Sequence, residues 1–85
     1  MFEIGEHELK VMNCLLHPES IETAVTESGL PQKVVLDIIR NLVHYRYIKP
    51  TDAEGKVVSM FSPDKLRAVR FVLTAKGVSA IQPKP

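Results

Sequence analysis

His7, Cys14, His17 and His44 are the side chains of this 85-residue chain best suited to hold a metal or to form a nucleophile–base pair. Their spacing is not that of a ligand set, so no metal is expected. A single cysteine excludes an internal disulfide and any cysteine-rich zinc site. It falls in a helical segment without a neighbouring cationic cluster, which points to a packed thiol and not a redox centre. No serine stands in a nucleophile elbow, and no glycine-rich run could cradle a phosphate. Carboxylate spacing alone identifies no acid–base pair. These absences make an enzyme the least favoured class and imply no cofactor.

The chemistry that remains is hydrogen bonding and positive charge on one helix. With Ile38 taken as the inward direction, Lys33, Asp37, Arg40 and His44 project from the opposite side, and Gln32 and Leu36 flank them. Arginine can read guanine, glutamine can read adenine, and lysine can meet phosphate. The competing interpretation is a solvated face on which Lys33, Asp37 and Arg40 pair at spacings of four and three. Lys49 and Lys56 straddle a later turn, with Lys65, Arg67 and Arg70 beyond it. Asp52, Glu54 and Asp64 interrupt that basic run, so a plain solvated hairpin stands beside a phosphate-binding one. With 11 basic and 10 acidic residues the net charge is +1. Any attraction to nucleic acid must therefore come from where the charges lie.

Positioning these groups falls to a short run of elements. A chain of this length with 45% apolar and 25% charged residues has room for one domain, assigned to 1–82, with a disordered tail at 83–85. Helix one is expected over Gly5–Leu16, with Leu9, Met12 and Leu16 facing the core and His17-Pro18 stopping it. Val11 and Leu15 form a second apolar pair, which calls for a second neighbour. Helix two spans Ile21–Ser28 between an N-cap at Ser20 and a left-handed Gly29. Helix three, about 31–45, carries the core stripe Val35, Ile38, Ile39 and Leu42. Tyr47–Lys49 reads as a strand broken by Pro50, Asp52–Gly55 as a turn, and Lys56–Phe61 as a second β-rich run. Val69–Leu73 alternates as a strand with Val69, Phe71 and Leu73 on one face. Thr74 then caps a last helix to about Gln82, with Val78 and Ile81 inward. Without a signal peptide or an 18-residue apolar run, the expected location is the cytosol, with no membrane partner.

Three helices followed by a hairpin resemble the winged helix-turn-helix family, an α+β fold. Ser20-Ile21-Glu22-Thr23-Ala24-Val25-Thr26-Glu27-Ser28-Gly29-Leu30 is similar to the first helix and turn of that motif, with Gly29-Leu30 in the turn. Val35, Ile38, Ile39 and Leu42 fill the apolar slots of the next helix, and Tyr47-Ile48 the exit into the wing. Phe71-Val72-Leu73-Thr74-Ala75-Lys76-Gly77 is similar to the Leu-Thr-x-Lys-Gly junction of MarR-like and related small prokaryotic or archaeal regulators. The resemblance implies double-stranded DNA as partner, helix three in the major groove and the 49–70 wing on the backbone. Gln32, Lys33, Arg40, His44 and Lys56 are then the DNA-binding candidates.

The sequence departs from the family pattern at Asp37, whose carboxylate repels phosphate, at the apolar rim residues Leu36 and Val43, and at Arg46, where glycine is common. A homodimer is expected, because one such module buries little surface on DNA. Val11 and Leu15 of helix one, with Val78 and Ile81 of the last helix, are its candidate contacts. The alternative function is a winged-helix protein–protein module that uses Leu36, Val43 or the wing's Val57, Met60 and Phe61 as its surface.

Overall fold

Local chemistry accounts for each element of the computed structural model, which describes residues 3–52, 54–58 and 69–82. The helix α1 (Glu6–Asn13) begins at Gly5 and places Glu6 and Glu8 in its first turn, where the helix dipole favours anions. It stops short of the expected Leu16. The amides of Cys14 and Leu15 donate to the carbonyl oxygens of Val11 and Met12, at 3.0 and 2.9 Å, in a tighter turn that leads the chain out before Pro18. That turn leaves the Leu15 carbonyl free to accept from the Leu73 amide at 2.9 Å.

The inward stripe of α1 also differs from expectation. Val11, Met12 and Leu15 are fully buried, whereas Leu9 is half-buried and Leu16 is 54% exposed. Burying one such side chain is worth about 1.5–3 kcal/mol, against a total stability of roughly 5–15 kcal/mol for a domain. A small chain therefore spends these residues on its own core. Val11 and Leu15 have no surface left for a second subunit, and their assignment to a dimer contact is corrected.

The helix α2 (Ile21–Ser28) has the expected ends. Ser20 Oγ accepts from the Thr23 amide at 3.2 Å, and Gly29 takes the left-handed conformation with φ 73°. Pro31 occupies the N-cap of α3 (Gln32–His44), and its carbonyl accepts from the Val35 amide at 3.0 Å. Val35, Ile38, Ile39 and Leu42 point into the core as their spacing predicts.

The strands β1 (Ile48–Thr51) and β2 (Arg70–Leu73) pair antiparallel, with Ile48 opposite Leu73 and Thr51 opposite Arg70. Pro50 was expected to break the first strand, yet it lies inside it and is buried. Its partner Phe71 commits both backbone groups to Glu19 on the other side, at 2.8 and 3.0 Å. Pro50 and Phe71 thus form a non-hydrogen-bonded pair, and the missing N–H costs the ladder nothing. The contact at Glu19 makes the α1–α2 connection a third, one-residue rung of the sheet, which the sequence reading had not anticipated.

Val69, just ahead of β2, and Phe71 and Leu73 within it are buried, as alternation predicts. In the turn after β1, Asp52 Oδ1 accepts from the amides of Glu54 and Lys56, both at 2.9 Å. Val57 then bridges to Thr51 while remaining 60% exposed. The rest of the second β-rich run, with Met60, Phe61, Lys65 and Arg67, and the tail at 83–85 lie outside the described residues. The helix α4 (Ala75–Ile81) closes the order, with Val78 and Ile81 half-buried against the core. Three helices, a hairpin and a final helix make this a winged-helix fold. No helix among the described residues is long and apolar enough to cross a membrane.

Candidate nucleic-acid interface

The core stripe of α3 dictates what its other side presents. Gln32, Lys33, Asp37, Arg40, Asn41 and His44 are all exposed, and Leu36 and Val43 lie half-buried along one margin. Lys33 to His44 spans about 16 Å of helix at 1.5 Å per residue, comparable with five base-pair steps of duplex DNA. The predicted four candidates of this helix thus share one exposed surface. Among the described residues, no ion pair joins Lys33 or Arg40 to Asp37 or to any other carboxylate. Their charges are not consumed within the fold, contrary to the paired-face interpretation. His44 packs edge-on against the Tyr45 ring, with centroids 4.9 Å apart.

Lys56 sits apart from that helix, on the turn that follows β1. Its ammonium is 3.9 Å from Glu54 Oε2, with both side chains nearly four-fifths exposed. An ion pair at that exposure contributes about 0–1 kcal/mol, too little to hold Lys56 away from a phosphate. Lys49 and Arg70 are exposed on β1 and β2. Among the described residues no group of histidines, cysteines and carboxylates could hold a metal ion. Cys14 is half-buried, and its Sγ–H donates to the Lys10 carbonyl oxygen at 3.1 Å.

The exit from α3 carries the least expected geometry. Arg46 has φ 65°, the left-handed region that favours glycine. The Tyr47 amide reaches back to the Leu42 carbonyl at 2.9 Å and the Arg46 amide to the Val43 carbonyl at 3.0 Å. Those two bonds are a Schellman closure, so the helix ends as a glycine would end it, at a cost of about 1–2 kcal/mol for an L-residue.

The Leu-Thr-x-Lys-Gly residues hold that exit in place. Thr74 Oγ1 lies 2.6 Å from the Arg46 carbonyl and 3.1 Å from that of Tyr47, and it accepts from the Gly77 amide at 3.1 Å. Lys76 Nζ donates to the Tyr45 carbonyl at 2.8 Å and stands 4.4 Å above the Tyr47 ring. Gly77 lets α4 approach so closely that an added Cβ would overlap the Tyr47 carbonyl oxygen. Sequence reasoning matched this junction as a pattern, without seeing that its function is to grip the end of α3.

Charge is also distributed more unevenly than its sum suggests. Residues 1–30 carry six glutamates against Lys10 alone, a net charge of −5. Residues 31–85 carry ten lysines and arginines against four acidic residues, a net charge of +6. The helix face, the hairpin and the grip on the α3 exit all belong to the positive part. This signal was available in the sequence and is hidden by the overall +1.

Comparison with solved structures shows similarity to BpsR of Bordetella bronchiseptica, a protein whose DNA binding is regulated by 6-hydroxynicotinic acid. The TM-score is 0.69 at 18% identity, over 89% of this chain and 52% of that one. The likeness supports the winged-helix fold, and the chain spans about half the length of its counterpart. No family model and no curated protein sequence matches the chain.

Proposed function

We propose that this chain is a small DNA-binding winged-helix protein of the transcription-regulator kind, with α3 in the major groove and the wing on the phosphate backbone. Gln32, Lys33, Arg40 and His44 face the DNA from α3, and Lys56 meets the backbone from the wing. The observation that carries this reading is the exposed face of α3, on which Lys33 and Arg40 have no carboxylate partner among the described residues. The positive balance of residues 31–85 supports it. So does the fold shared with BpsR, a protein that binds DNA. The protein acts as a homodimer, with Val78 and Ile81 of α4 as its remaining candidate contacts.

The double variant Lys33→Ala/Arg40→Ala tests the reading. Two lost contacts, each worth about 1–3 kcal/mol, weaken duplex binding by about 30-fold or more. Both side chains are exposed, so the melting temperature stays within about 2–4 °C of the parent's. Unchanged affinity removes α3 as the DNA-reading helix.

The competing reading, a protein–protein module, draws on Asp37 and on the half-buried Leu36 and Val43 beside it. A protein partner held through those apolar residues would bind with little dependence on salt.

A further inference from the structure

We propose, building on the DNA-binding reading above, that Arg46 is a phosphate-binding residue which extends the DNA contact past the end of α3. Arg46 is the one non-glycine residue with positive φ among the described residues. The bonds that close α3 there are made by backbone groups alone, from Arg46 to Val43 and from Tyr47 to Leu42. Glycine would make the same bonds without strain. The need for a side chain at this position is therefore not a need of the cap.

Nor does the helix end require the charge of Arg46. A cation is favourable at a helix C-terminus, and Lys76 already supplies one by direct contact with the Tyr45 carbonyl at 2.8 Å. Arg46 is exposed, and its guanidinium has no hydrogen-bond or ion-pair partner among the described residues. Strained residues persist where the surroundings fix them and function uses them. Here the fixing is explicit: the Arg46 carbonyl is held by Thr74 Oγ1 at 2.6 Å, and the Arg46 amide by Val43 at 3.0 Å. The outcome is a free guanidinium on a rigid backbone, just beyond His44 and ahead of β1. A planar guanidinium that offers paired N–H donors suits a phosphodiester.

The variants Arg46→Gly and Arg46→Lys separate strain from charge. Each is titrated against random-sequence duplex DNA at several salt concentrations, with the melting temperature measured alongside. Arg46→Gly should weaken binding at low salt by roughly three- to tenfold. It should also flatten the plot of log affinity against log salt by about 0.9 per chain, one phosphate contact. Its melting temperature should rise or hold, because the strain is relieved. Arg46→Lys should restore the salt slope with no gain in melting temperature.

An Arg46→Gly protein with the parent's affinity and slope overturns the inference, and so does one that melts earlier. If Arg46→Gly binds normally while Lys33→Ala/Arg40→Ala does not, only the role of Arg46 is lost. If the unaltered protein fails to bind DNA, this inference falls together with the reading beneath it.

Discussion

Cys14 shows how neighbours settle the chemistry of a single residue. Burial pushes its thiol above the ordinary value of 9.0, and the charge of Glu27 pushes in the same direction. The fold therefore favours the protonated thiol. That contribution to stability is complete below the unfolded-state value near 9 and is lost as pH rises through the higher folded-state value. Cys14 should react with iodoacetamide at pH 8 several times more slowly than free cysteine, because the thiolate is the reactive form. Glu27→Gln should recover part of the rate, and a parent rate equal to that of free cysteine would contradict this account. The sequence suggested a packed thiol because no cationic cluster neighbours Cys14, but the partner Glu27 comes from another helix and was not legible. Arg46 was visible as a departure from glycine, whereas its positive φ depends on the Schellman closure around it.

Among the elements, α2 and α3 were legible almost to the residue. Their signals are local: Ser20 and Gly29 at the ends of α2, and a stripe spaced 0, 3, 4 and 7 in α3. The inward face of α1 was not. Leu9, Met12 and Leu16 fit a helical period as well as Val11, Met12 and Leu15 do, and a helix this short offers too few turns to decide. The choice is made by the tight turn at Cys14 and Leu15 and by the bond from Leu73, both tertiary facts. Pro50 was misread for a related reason, since its tolerance depends on Phe71 turning its backbone groups to Glu19.

The packing of α4 on the exit from α3 is where one element most depends on another. Gly77→Ala should cost about 1–3 kcal/mol through overpacking against the Tyr47 backbone. Gly29→Ala is the useful contrast, because a Cβ there meets nothing within 4 Å and only the left-handed backbone resists it, for about 1 kcal/mol. Denaturant unfolding of both variants checks the order. A Gly77→Ala protein as stable as the parent would show that α4 does not need its close approach.

On the scale of the whole chain, the fold was read from the order of elements, and its charge distribution was not. A total near zero conceals a −5 segment that includes α1 and α2 and a +6 remainder that includes α3, the hairpin and α4. Such a chain can bring a locally positive segment to a polyanion without being strongly basic overall. Of the four residues expected at a subunit contact, Val11 and Leu15 belong to the core, and only Val78 and Ile81 stay available for the proposed homodimer.

The exposed face of α3 and the hairpin are proposed to bind duplex DNA. Fluorescence anisotropy of the unaltered protein with random-sequence duplex, at 50 and 200 mM salt, tests this most directly when the mass of the particle is followed by light scattering. The account predicts micromolar binding at the lower salt by a particle of dimer mass. With Lys33, Lys56 and Arg46 of each chain on phosphates, about six contacts per dimer, affinity should fall by roughly a thousandfold at the higher salt. No binding at 50 mM salt, or binding that ignores the change, would contradict it and leave the protein–protein reading in its place.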